Sequence, residues 1–279
     1  GASWMGWLGR FILWAGGLAA AGGLALVFVV GIAVAVAYPN VPEISGLADY
    51  RPKLPMRIYA ADGVLLGEFG EERRTFTPIG QIPKAMKDAV LAAEDSRFYE
   101  HGGVDYRGIL RAALANLRDA RSQGGSTITM PVGKHFYLPT EKTYTRKIYE
   151  LLLTLKIESR LSKEQILELY MNQIFLGQRA FGFAAASEVY FGKPIKDITV
   201  AEAAMLAGLP RAPSAYNPVA NPKRAVALQQ TILARMLEED YITPAQYDAA
   251  RTQVLQYRVQ AATPVHAEYA VETARQLVF

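Results

Sequence analysis

The chain has 279 residues and a net charge of +4, room for one large or two small domains with a mildly basic balance. That bias suits an anionic lipid surface or a phosphate-bearing substrate and is too small to choose between them. There is no cysteine, which excludes disulfides, zinc–cysteine sites and thiol nucleophiles and fits an exported domain.

Residues 11–37 carry no charge. They would span about 40 Å as a helix, enough to cross a bilayer with tilt. The run is too long for the apolar core of a signal peptide. Trp4, Trp7 and Trp14 lie near one end and Tyr38 at the other, as interfacial anchors do, and Arg10 stands just before it as an inside signal. The expectation is a short cytoplasmic segment over 1–10, one transmembrane helix over 11–37 and a stalk over 38–55. Next, MRIYAADGVLLGEFG alternates around Asp62-Gly63, a hairpin signal and the one substantial β element expected. The charge run 71–74 reads as a solvated edge.

From Pro83 the pattern is helical. Met86, Val90 and Ala93 mark the apolar face of a helix that ends at Glu94 and Asp95. Glu94 borders that face, so partial desolvation would raise its pKa towards the range of a general base. Taken alone, the pair is better read as solvated carboxylates at a helix end. His101, Gly102 and Gly103 then turn the chain. Residues 106–121 predict a helix with a basic side of Arg107, Arg111, Arg118 and Arg121, equally a solvated face or a contact with lipid headgroups.

In QGGSTITMPVGKHFYL (123–138), Gly124-Gly125 breaks the helix, and Ser126 or Thr127 can cap the next one. Backbone amides at that start, with Lys134, make an anion site, although the spacing is not that of a nucleotide P-loop. Residues 143–159 predict a helix with Arg146 and Glu150 on one face. Taken alone, that pair is a surface ion pair. Ser162/Gln165, Thr199/Glu202 and Thr243/Gln246 read as capping boxes, the last with Pro244 at the first helical position. The small residues of AAASEVYFGK point to close helix packing, and Pro210, Pro213 and Pro218 punctuate an irregular segment.

Five stretches in order resemble the motifs of the glycosyltransferase domain of class A penicillin-binding proteins, glycosyltransferase family 51. They are EDSRFYEHGGVD (94–105), GGSTIT running on to Lys134, RKIYE (146–150), ILELYMNQIFLGQRAFGFAAASEVYFGK (166–193) and AEAAMLAGLPRAPSAYNP (201–218). Any one could be chance, whereas five in order behind a membrane anchor are specific. The resemblance implies a mainly α, lysozyme-like fold over 56–258, with a small membrane-proximal lobe and a short N-terminal hairpin, preceded by one transmembrane helix. Residues 259–279 would then begin a linker towards a transpeptidase domain, and no Ser-x-x-Lys or Lys-Thr-Gly motif occurs in this chain.

The activity it implies is peptidoglycan glycosyltransfer on the outer side of a bacterial inner membrane. Lipid II is joined to a growing glycan strand with inversion, and polyprenyl pyrophosphate leaves. By resemblance Glu94 is the base. Glu150 is the second catalytic glutamate, acting on the pyrophosphate or binding a divalent metal (Mg or Mn). Lys134 and Arg146 bind phosphate, and Asp95, Phe98, His101 and Thr127 shape the cleft. The implied partners are lipid II, glycan, membrane lipids and cell-wall synthesis proteins, with no nucleic acid. Pro131 and His135 stand where the family carries glutamine and asparagine. Proline lacks a backbone donor and the glutamine's amide, a loss tolerated if Pro131 falls in a helix's first turn. Two rival readings remain: a lysozyme-like hydrolase acting with two carboxylates, and a non-catalytic scaffold with an altered second motif.

Overall fold

The structure, a computed structural model, describes residues 3–44, 47, 56–63, 65–69, 72–109, 127–137 and 144–258. The first helix, α1 (Ser3–Ala37), starts well ahead of the apolar run. Hydropathy locates the span of such a segment, while a helix ends only where something breaks it, and neither Arg10 nor the early glycines do. The stretch Gly6–Val36 is long and apolar enough to cross a membrane, and most of its described large side chains are exposed, while Val34 is partly buried against the core. A 3-10 turn at Tyr38–Asn40 follows, where Pro39 cannot continue the ladder.

The described part of the expected stalk is not free. Val41, Ile44 and Leu47 are buried in the core. Lys156 Nζ donates to the carbonyl oxygens of Val41 at 3.2 Å and Pro42 at 2.9 Å. Strands β1 (Met56–Tyr59) and β2 (Leu65–Phe69) pair antiparallel, Met56 opposite Phe69, with a register shift between Ile58 and Tyr59. The turn closes through Gly63 N to Ala60 O at 2.9 Å, with Gly63 at φ +84°. A second, two-residue pair joins β3 (Arg73–Arg74) to β4 (Ala180–Phe181) in parallel. The charge run is therefore only partly a solvated edge, because Arg74 is buried. Its guanidinium reaches Gln173 Oε1 at 2.6 Å and lies 4.4 Å above the Phe181 ring.

Helices make up most of the rest. They are α2 (Lys84–Glu94), α3 (Thr129–Tyr137), α4 (Tyr144–Arg160), α5 (Lys163–Gln173), α6 (Phe183–Phe191), α7 (Val200–Gly208), α8 (Pro222–Glu238) and α9 (Pro244–Thr252). All three capping boxes form with both reciprocal hydrogen bonds. Of the helix expected over 106–121, residues 106–109 are helical and the remainder lies outside the described residues.

Two groups of helices position the site. In the first, α7 packs against α2 and α8, and α2 also against α8. Small side chains let these helices approach. Ala201, Ala203, Ala204 and Ala207 are buried, and a Cβ on Gly208 would stand 2.8 Å from Leu228 Cδ2. In the second, α3 lies on α4 and α5, and α1 touches α4. The segment before α2 is held by α5. Asn172 Oδ1 accepts from Thr77 N at 2.8 Å, its Nδ2 donates to Thr77 O at 2.9 Å, and Glu168 Oε2 accepts from Ile79 N at 2.7 Å.

Candidate functional site

Helix α2 buries Met86, Ala89, Val90 and Ala93, the i, i+3, i+4, i+7 stripe, and so points its C-terminal end into the body of the protein. Glu94 is its last residue. Its Oε1 is buried and has no hydrogen-bond partner. Burial raises its pKa; Arg211 and Arg235 pull it back down, and Asp95 pushes it up. The desolvation expected from the sequence is present.

Asp95 differs from its neighbour. Its oxygens lie 2.9 and 3.0 Å from His101 Nε2, and Oδ2 accepts from Ile128 N at 3.2 Å. His101 Nδ1 accepts from Gly103 N at 3.1 Å, so the ring proton sits on Nε2 and is donated to Asp95. Burial raises the Asp95 pKa, and the His101 hydrogen bond opposes it. Phe98 is fully buried, edge-on to His101, with Lys163 Nζ 4.3 Å from its ring centroid.

The turn after α2 is locked onto the second helix group. Thr127 Oγ1 donates to Gly103 O at 2.7 Å. Gly103 has φ +91°, and a Cβ there would stand 2.7 Å from Thr154 Cγ2 and 2.8 Å from Glu158 Cγ, so only glycine fits. Glu158, half-buried on α4, accepts from Thr129 Oγ1 and pairs with Lys163 at 2.8 Å. The α2 end, the His101 turn, the start of α3, and α4 are thereby one connected network.

Pro131 is the third residue of α3, inside the first turn, where its missing N–H has no intrahelical partner to lose. Gly133 lets α3 lie close on α4, since a Cβ there would be 3.1 Å from Leu153 Cδ2. Lys134 is exposed on α3. The side chains of His135 and Arg146, and residues 124–126, lie outside the described residues. The anion site expected there is narrowed by one amide, because Ile128 N is already engaged by Asp95.

Glu150 is buried on α4, with Lys147 Nζ 2.7 Å from its Oε2. Thr154, one turn on, donates to Glu150 O at 2.7 Å. Among the described residues no group of three or more His, Asp or Glu side chains could hold a metal ion, and the neighbour seen at Glu150 is a cation.

Sequence reasoning missed Arg211, Arg235, Glu158 and Lys163. Arg211 stands inside the fifth motif as read, but nothing local to it, or to Arg235 on α8, signals a neighbour at the end of α2.

A family model described as "Transglycosylase" matches residues 62–237. Penicillin-binding protein 1A of Neisseria meningitidis serogroup B is 53% identical over 252 residues, which is 90% of this chain and 32% of that protein. Penicillin-binding protein 1A of Escherichia coli K12 is 46% identical over 243 residues, 86% of this chain and 29% of the other. The solved structure of penicillin-binding protein 1A from Haemophilus influenzae shares 32% identity over 82% of this chain and 24% of that one, with a TM-score of 0.48. The chain thus spans about a third of the length of the curated relatives it matches.

Proposed function

The chain belongs to the transglycosylase family, and from that premise we propose that it is a peptidoglycan glycosyltransferase polymerising lipid II in bacterial cell wall synthesis. In the proposed reaction the 4-hydroxyl of an acceptor sugar attacks the anomeric carbon of the donor with inversion. Its proton passes to Glu94, and the bond to polyprenyl pyrophosphate breaks. A positioned base contributes about 10²–10⁴-fold. Pyrophosphate leaves readily once its charge is met, the role assigned to Lys134 and Arg146. Glu150, with Lys147 beside it, positions the diphosphate end of the cleft. Asp95, Phe98, His101 and Thr127 hold the cleft's shape.

One observation carries this reading. Of two consecutive carboxylates, Asp95 is tied down by His101 and Ile128, while Glu94 has a buried oxygen with no partner and a pKa raised by burial. That is the state of a group kept for a proton. Pro131, in a first turn, gives no structural reason to expect an inert scaffold. We place α1 in the membrane as the single-pass anchor, the catalytic body on its outer face, and a small lobe against the lipid.

The test is a lipid II polymerisation assay on the parent chain and Glu94→Gln, with and without divalent metal. Polymer from the parent and none from the variant is expected. Shortening of preformed glycan instead of polymer would identify a hydrolase and overturn the reading.

A further inference from the structure

A carboxylate buried without hydrogen-bond donors tends to take up a proton, and a protonated Glu94 could not act as a base. Its surroundings bear on this directly. From its own turn Asp95 faces it, a like charge. From α5 comes the buried phenol of Tyr170, whose pKa is pushed far up by burial and then by Glu94. Among the described residues, the cations acting on Glu94 are Arg211 and Arg235.

Both arginines are placed by backbone. Arg211 ends the 3-10 turn Leu209–Arg211 that continues α7, and α7 packs on α2. Arg235 comes from α8, which also packs on α2. It is half-buried, and its Nη1 donates to Ala93 O at 3.5 Å, in the last turn of α2 beside Glu94. That carbonyl is among the four a helix end leaves without a ladder partner. Burial and then Arg211 lower the Arg235 pKa, against Glu238, Glu94 and Glu239. Arg235 thus stands against the last turn of α2, one residue from Glu94, and Arg211 stands at the end of the turn that follows α7, which packs on the same helix.

We infer that Arg211 and Arg235 are positioning residues for Glu94, two guanidiniums from separate helices that keep its buried carboxylate charged and set to accept a proton. The inference rests on the reading of Glu94 as the base. Neither arginine is given a bond to substrate; each acts through the carboxylate.

The experiment uses the full chain in detergent micelles, labelled with carboxyl-¹³C glutamate, the Glu94 signal being assigned by its loss in Glu94→Gln. Its titration midpoint and the pH profile of polymerisation are followed in the parent, Arg211→Gln, Arg235→Gln and Arg235→Lys. Each Gln variant is expected to move the Glu94 midpoint up. The acidic limb of the rate should follow, with roughly tenfold less activity on the acidic side, the worth of one pKa unit, and an unchanged plateau at high pH. Arg235→Lys should restore most of the shift. An unmoved midpoint in folded Arg211→Gln and Arg235→Gln overturns the inference, as does a Lys variant that behaves like Gln. Midpoints that move while the rate limb stays still would leave the arginine roles standing and remove Glu94 as the base. Arg211 is exposed, so its variant keeps the test open if Arg235→Gln does not fold.

Discussion

Glu94 and Asp95 are consecutive carboxylates with opposite environments. Asp95 accepts from His101 Nε2 and Ile128 N, whereas Glu94 Oε1 is buried with no partner. The difference follows from the end of α2, where the backbone leaves the helix at Asp95, with φ −161°, and turns its side chain towards α3.

Glu94→Gln should reduce polymerisation by about 10²–10⁴-fold. It should also change the pH dependence of stability. Because burial raises the Glu94 pKa, the fold favours the neutral carboxyl; the stability tied to it is full below the unfolded value and is lost as pH rises through the folded one. The glutamine variant lacks that loss, so its Tm advantage over the parent should grow as pH rises from the ordinary glutamate range through the raised folded-state value. A constant or shrinking gap in calorimetry would show that ionised Glu94 costs the fold nothing.

Lys134→Ala and Arg146→Ala should weaken donor binding while leaving the fold in place. Lys134 is exposed, and its truncation should change stability by no more than about 0.5 kcal/mol. Binding of lipid II measured by calorimetry is the check, and unchanged affinity in both variants rejects the phosphate role.

Gly103→Ala should destabilise the protein by about 1–3 kcal/mol from backbone strain alone, with more from the clash against Thr154 and Glu158. Polymerisation should fall with it, because the same turn carries His101. Denaturant midpoints give the stability, and a loss below about 0.5 kcal/mol would mean the turn can relax at little cost.

How much of this was legible varies with the range of the interaction. The capping boxes at Ser162, Thr199 and Thr243 could be read because donor and acceptor lie three residues apart, and the hairpin because Asp62-Gly63 marks its own turn. The apolar stripe of α2 placed Glu94 at a helix end beside the core. The β3–β4 pair could not be read, since two residues per strand leave no alternation and the partner of Arg73 is Ala180. Arg211 and Arg235 come to the end of α2 only once α7 and α8 have closed on it, which alanine and Gly208 permit but do not announce. Glu158 carries no local signal of its partners, because the fold brings Thr129 and Lys163 to it.

Pro131→Gln should change stability by less than about 1 kcal/mol, because proline in a first turn forfeits no ladder bond. The parent should polymerise lipid II without it. Activity seen only in Pro131→Gln with His135→Asn would instead mark the parent as a scaffold.

Lys156→Met should lower stability by roughly 1–3 kcal/mol, since an ammonium donor to the Val41 and Pro42 carbonyls is lost. Limited proteolysis should then cut sooner in the segment after Asn40, and equal cutting rates in variant and parent would show that Val41, Ile44 and Leu47 hold the segment by themselves.

That joint has a mechanical consequence. With α1 in the membrane as proposed, a loosely strung head would sample many heights and tilts above the lipid plane. Here the rod of α1 passes through one short turn into chain clamped on α4, so a rocking of the rod is handed to the body as torque instead of being absorbed by slack.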